Sequence, residues 1–303
     1  MKFEATILGS SSATPIFNRN PTAQVLNVNE KLFLIDCGEG TQQQMLRYGI
    51  NMQRIGHIFI SHLHGDHYLG LIGLLSSLNL NGRTKPVYIY SPPELKEILD
   101  IQFKYSQTQL RYPIHFNFTR VDKSVKIFEN FDVVVETIML DHRIPCTGFK
   151  FSQKKRSRKI IKQKVEELEI PVEQIPLIKK GDPFIDKRGR IHTSVDLTVE
   201  SGEPKSYAYC SDTACSSTYL ETIKNVDLLY HEATFMSDML NRATETYHTT
   251  ASQAGELALK AGVKQLLIGH FSARYRELGP LLEECKAIFE NTFLALEGQT
   301  FEV

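Results

Sequence analysis

At 303 residues the chain is long enough for one large domain or two small ones. Its 35 Lys and Arg balance 35 Asp and Glu, so no global charge draws it to nucleic acid or a membrane, and any polyanion partner has to meet a local patch. Five dispersed cysteines (Cys37, Cys146, Cys210, Cys215, Cys285) without a C-x-x-C pair argue against a disulfide scaffold and for a cytoplasmic, reducing setting.

The amino terminus does not read as a signal peptide, because Lys2 to Leu8 alternates and enters a strand at once. Gly9 to Pro15 is an irregular loop. Ala23 to Val28 and Lys31 to Ile35 form a hairpin across Asn29-Glu30, and Asp36 to Thr41 is a turn into a helix near Gln42 to Tyr48. His57 to Ser61 is a short buried strand, β-branched and aromatic. Directly after it, His62, His64, Asp66 and His67 place four good metal ligands within six positions. Tyr68 to Leu80 is then apolar and of helical length. Its most apolar part, from Leu69, is too short and too broken by Gly70, Gly73 and Asn79 to span a bilayer, so no membrane partner is expected.

A strand that ends in ligands and runs into a helix is a rigid way to aim them. Imidazole nitrogen with carboxylate oxygen suits zinc, and also manganese or iron. Three more candidates follow strands in turn: His142 after Val133 to Leu140, Asp212 after Ser206 to Ser211, and His270 after Val263 to Gly269. Each alone is an ordinary turn residue; together, after the dense loop, they make a set. Such a set fits two-metal hydrolysis, in which ions roughly 3.5–4 Å apart share a hydroxide and clamp the attacked oxygen. One carboxylate must bridge them, and Asp212, with two oxygens, is the natural choice.

Helical and extended segments alternate to the end, with many strands adjacent in sequence, which suggests a mixed α/β sandwich rather than a doubly wound parallel sheet. Thr250 and Gln253 match a capping box, Ala251, Ala254, Leu257, Ala258 and Ala261 share one face, and Gly262 stops the helix. One segment stands apart. From Ser152 to about His192 the apolar pattern thins, and Lys154, Lys155, Arg156, Arg158, Lys159, Lys162 and Lys164 occur without an acidic residue among them. A charge run is often only a solvated face; in a neutral chain it is also where a phosphate backbone would bind. No internal repeat, low-complexity tract or phosphate-binding glycine loop is present, so no nucleotide cofactor is expected.

The His-x-His-x-Asp-His loop resembles the signature of the metallo-β-lactamase superfamily. That resemblance implies a four-layer αββα sandwich of two mixed sheets flanked by helices, here one domain over residues 1–303 with a basic arm inserted at 152–192. Further motifs resemble those of the ribonuclease Z family of tRNA 3′-processing endonucleases. These are His231-Glu232-Ala233-Thr234, His248-Thr249-Thr250-Ala251, the run Gly269 to Tyr275, and the loop Pro15-Ile16-Phe17-Asn18-Arg19-Asn20. The resemblance covers the whole chain except the arm.

It implies a zinc-dependent endoribonuclease that removes the 3′ trailer of precursor tRNA and leaves a 3′-hydroxyl. One zinc would take His62, His64, His142 and Asp212, and the second Asp66, His67, Asp212 and His270, with manganese or another divalent ion as a substitute. Asp66 would act as base, and His248 as proton donor oriented by Glu232; the role of His231 stays open. Arg19, Asn20, Arg274 and the arm residues Lys154, Lys155, Arg156, Arg158 and Lys159 would contact substrate. A homodimer, in which one arm clasps tRNA at the partner's site, is implied by the resemblance only. Two departures stand out: Phe17 replaces a lysine frequent in the family, and the arm lacks a Gly-Pro pair, which puts its grip on tRNA in doubt. The alternative is a hydrolase of small phosphodiesters or esters on the same dinuclear site. An RNA-binding module with a vestigial site is disfavoured because no ligand is missing.

Overall fold

The computed structural model of the chain describes residues 2–16 and 18–303; Phe17, one of the two departures above, lies outside them. The chain divides into two compact units, 1–152 with 205–303, and Gln153–Pro204.

In the larger unit the hairpin forms as expected. Val28 pairs with Lys31, leaving a two-residue turn whose Asn29 and Glu30 have φ of 50° and 68°. Both central residues at positive φ define the turn whose twist matches the strands it joins. Asn27 Oδ1 accepts the Glu30 N–H at 2.9 Å and helps hold that unfavourable conformation. Around this hairpin grows a sheet ordered Thr300–Glu302, Phe3–Gly9, Ala23–Val28, Lys31–Cys37, Ile55–Phe59, Val87–Ser91, Ile114–Phe118. It is antiparallel up to Lys31–Cys37 and parallel beyond it. The second sheet runs Thr292–Leu294, Gln265–Gly269, Leu228–Glu232, Ser206–Cys210, Thr147–Gln153, Val133–Met139, Lys126–Glu129.

Phe33, Phe59 and Tyr90 of the first sheet share one buried cluster with Val135, Phe149, Phe151, Tyr207 and Tyr230 of the second. The helices Leu71–Leu80 and Glu94–Tyr105 cover the other face of the first sheet with Leu71, Leu74, Leu75, Leu78, Leu95 and Leu99. Ala251–Ala261 and Gly279–Lys286 cover the second with Ala254, Leu257, Ala258 and Leu281. The layers are therefore helix, sheet, sheet, helix. Strands buried on both faces read as unbroken apolar runs. Leu228–Glu232 is buried along its whole length too, but its last two residues are His231 and Glu232.

The expected loop of ligands differs in one respect. A short helix, Gly65–Tyr68, already carries Asp66 and His67, and a second begins at Leu71. The break falls at Gly70, where a Cβ would lie 2.1 Å from the Gly38 carbonyl oxygen. Only glycine lets the helix start press this closely on the turn after Lys31–Cys37. The capping box at Thr250 and Gln253 is complete, and Gly262 ends that helix at φ 65°.

The smaller unit has its own core of Ile170, Ile178, Phe184 and Leu197. The helices Lys162–Glu167 and Ile175–Lys180 and the ribbons Lys159–Ile160/Thr198–Val199 and Phe184–Ile185/Ile191–His192 surround it. It extends past the expected end at 192, because Leu197 and Thr198–Val199 complete that core and its ribbon. No helix among the described residues is long and apolar enough to cross a membrane.

Candidate functional site

Each expected ligand follows a strand at its carboxyl end. His62 and His64 come after Ile55–Phe59, His142 after Val133–Met139, Asp212 after Ser206–Cys210, and His270, at φ 57°, directly after Gln265–Gly269. In open α/β sheets these strand ends line the crevice where ligands sit, and the seven residues converge there in two groups.

In the first group, His62 Nε2 and His142 Nε2 approach His64 Nδ1 at 3.0 and 3.2 Å, and both face Asp212 Oδ2 at 3.6 and 3.7 Å. In the second, His67 Nε2 and His270 Nε2 face Asp66 Oδ2 at 3.4 Å each, and Asp212 Oδ1 at 3.3 and 3.0 Å. The two oxygens of Asp212 thus address different groups. His67 Nε2 and His270 Nε2 are buried and have no hydrogen-bond partner. Buried nitrogens left without a hydrogen bond while facing carboxylate oxygens leave a place that suits a cation. The nitrogen and oxygen donors suit a pair of divalent ions, so these residues fit the metal centre that the motif implies.

The outward nitrogens are held in turn. His62 Nδ1 meets Ser61 Oγ at 3.0 Å, and His67 Nδ1 meets Asp36 Oδ2 at 2.8 Å. His142 Nδ1 donates to the Tyr247 carbonyl at 3.1 Å, and His270 Nδ1 meets Thr234 Oγ1 at 2.9 Å. Such partners fix the ring and the tautomer of a ligating histidine. Asp36 and Thr234 are contributions that the sequence reading missed. Asp36, fully buried at φ 54°, also accepts from Ser61 N, Ser61 Oγ and Tyr209 OH. Its signal in the sequence is a lone carboxylate near the end of a mostly apolar strand.

Beside the second group lies the pair expected to move a proton. Glu232 is wholly buried; its Oε1 accepts from Thr213 N at 2.7 Å and His248 Nδ1 at 2.9 Å. Its Oε2 accepts from Thr249 N at 3.1 Å and Thr234 Oγ1 at 2.5 Å. Burial disfavours the His248 imidazolium, but the Glu232 carboxylate opposite outweighs it and holds the ring up to about 9. His248 lies beside His142 and His270, with ring centroids 5.4 Å from each. His231 points elsewhere: its Nδ1 donates to the Glu232 carbonyl at 2.7 Å and its Nε2 meets Tyr219 OH at 3.0 Å. Burial pushes its pKa down, so it is neutral and braces the strand.

The expected substrate contacts divide. Arg274 is exposed, stacked 5.1 Å over Phe235, whose ring meets His248 edge-on. Arg19 is instead buried and donates to the carbonyls of Tyr275 at 2.7 Å and Ser272 at 3.4 Å. Asn20 is likewise occupied, its Nδ2 and backbone N–H both donating to Glu297. Arg19 Nη2 and the half-buried Asn20 thus tie the loops around the site together, while Arg19 Nε and Nη1 stay buried without a hydrogen-bond partner. In the smaller unit, Arg158 is held by Thr198 Oγ1 at 2.5 Å and Glu200 at 3.1 Å, whereas Lys155 and Lys159 are exposed.

Residues 3–160 match the family model described as anti-Pycsar protein Apyc1. A ribonuclease Z of Bacteroides fragilis is 46% identical over 297 residues, covering 98% of each chain. The crystal structure of human tRNase Z, short form, matches with a TM-score of 0.71 at 25% identity, covering 99% of each chain. That of the metallo-β-lactamase fold protein YhfI from Bacillus subtilis matches with a TM-score of 0.70 at 18% identity, covering 99% of each, a likeness of fold alone. By its amino-terminal half the chain belongs to the family described as anti-Pycsar protein Apyc1, and over its full length it belongs to the ribonuclease Z family, with the metallo-β-lactamase fold.

Proposed function

We propose that the chain is a zinc-dependent endoribonuclease that hydrolyses precursor tRNA at its 3′ end and leaves a 3′-hydroxyl on the tRNA. The observation that carries this reading is Asp212, whose two oxygens face two separate sets of histidine nitrogens. His62, His64, His142 and Asp212 would hold one ion, and Asp66, His67, His270 and Asp212 the other. When bound, the ions supply a nucleophilic water near neutral pH and positive charge opposite the attacked phosphate.

The chain's own groups handle the protons. Asp66, with Oδ2 already accepting from Ala13 N at 2.6 Å, takes the proton of the attacking water. His248, protonated through Glu232, gives a proton to the leaving oxygen. Four donors hold Glu232, so the acid arrives already oriented. The exposed Lys155 and Lys159 bind tRNA phosphates. The chain acts as a cytoplasmic homodimer; its free cysteines support the reducing location, and sedimentation tests the dimer.

The deciding experiment maps the cut on a precursor tRNA with a defined 3′ trailer. A single cut at the mature end leaving a 3′-hydroxyl is expected. Turnover of a one-phosphate ester with no cleavage of precursor tRNA would establish the small-substrate alternative instead.

A further inference from the structure

Next to His142 the loop carries an arginine that no role above uses. Arg143 is exposed, and its one polar contact among the described residues is Nη2 to His64 Nε2 at 3.5 Å. Among the described residues it makes no ion pair. The loop beneath it is fixed, because Thr213 Oγ1 accepts from Asp141 N at 3.0 Å and the Asp141 carbonyl accepts from Ala214 N at 2.7 Å. Those bonds tie the loop to the residues that follow Asp212.

The chemistry of His64 decides what this contact is. Its Nδ1 is the atom that meets His62 and His142, so Nδ1 is the inward, ligating nitrogen. A neutral imidazole that ligates through one nitrogen carries its hydrogen on the other. Nε2 is therefore an N–H, and Arg143 has only N–H groups. Two donors point at each other with no acceptor between them, at the mouth of a site for a polyanion. A phosphate oxygen lodged between them would satisfy both.

We propose that Arg143 and the outward Nε2–H of His64 form a two-donor clamp for the phosphate adjoining the scissile one on the RNA strand. The clamp lies on the far side of the His64 ring from the ligating nitrogen, so it stands one ring further out than the atoms around the ions. That distance favours the neighbouring phosphate over the one being cut. The clamp makes Arg143 a specificity residue: it rewards a substrate with a second phosphate and gives nothing to a one-phosphate ester. This inference rests on the nuclease reading above.

The test compares R143A and R143K with the parent in the metal-loaded enzyme. On precursor tRNA, R143A should raise KM about tenfold with little change in kcat, the size expected for losing one hydrogen bond to a charged group. Hydrolysis of bis(p-nitrophenyl) phosphate should fall much less. Equilibrium binding is read in an H248A background, where cleavage is too slow to interfere. There R143A should weaken precursor tRNA about tenfold and flatten the log–log salt dependence by about 0.7, one single-stranded phosphate. R143K should restore part of the affinity. Metal content should stay at the parent level.

Unchanged affinity and salt slope would overturn the clamp. So would an equal fall on the small ester, which would place Arg143 at the scissile phosphate, or a loss of metal, which would make it a support of the centre. If the parent itself neither binds nor cuts precursor tRNA, the failure lies with the nuclease reading and not with the clamp.

Discussion

Asp36→Asn tests whether the second metal position depends on a carboxylate that touches no ion. Three donors converge on Asp36 Oδ2: Tyr209 OH at 2.6 Å, His67 Nδ1 at 2.8 Å and Ser61 Oγ at 2.9 Å. A fourth, Ser61 N, meets Oδ1 at 2.7 Å. Asparagine offers one acceptor oxygen and one NH2. With its nitrogen in the Oδ2 place it opposes three donors; in the Oδ1 place it opposes a backbone N–H that cannot turn away. Either way a buried donor loses its acceptor, and His67 loses a charged partner that fixes its tautomer. Replacing such a supporting residue costs about 10–100-fold in metal affinity, or about 1.4–2.7 kcal/mol. The loss should be one-sided, because His67 belongs with Asp66 and His270, while His62 reaches Asp36 only through Ser61. Competition against a chromophoric chelator resolves the binding steps. One step should weaken by that factor while the other moves by less than threefold. Two unchanged steps, or two equal falls, would refute the assignment of Asp36 to one ion.

Metal analysis of protein purified without chelator should find close to two divalent ions per chain; one ion per chain would contradict the two roles given to the Asp212 oxygens. Glu232→Gln should shift the pH dependence of kcat. His248 is protonated below about 9 because the Glu232 carboxylate outweighs burial, and with an amide there the pKa falls, although Asp212 and Asp66 still raise it. The alkaline limb should move down to lower pH accordingly; a limb that stays in place would remove His248 from the reaction. Replacing Lys154, Lys155, Arg156, Arg158, Lys159, Lys162 and Lys164 with alanine should weaken tRNA binding and flatten its salt dependence, while a one-phosphate ester is still hydrolysed. Affinity equal to the parent at every salt concentration would reduce the run to a solvated face.

The convergence of the seven candidate residues was legible because its geometry is local to the sequence. A strand fixes the direction of the residue that follows it, so His142, Asp212 and His270 announce themselves by standing just past apolar runs. The split of Asp212 between two groups was legible too, since only a carboxylate can face two ways. What supports the ligands was not, because those contacts join residues distant in sequence. Tyr209 reaches Asp36 across 173 positions and Arg19 reaches Tyr275 across 256. The sequence shows Arg19 as a cation in a polar loop, and only the fold reveals that it is buried with its Nη2 taken by two carbonyls. The same holds for Arg158, which the charge run counts as free and the ribbon Lys159–Ile160/Thr198–Val199 brings to Thr198 and Glu200. Composition counts charges before folding has spent them. Arg143 is the reverse case: nothing in its neighbourhood of the sequence marks it, yet folding leaves it exposed beside the outward nitrogen of His64, its one polar contact among the described residues. A functional cation is recognised by what the structure fails to give it.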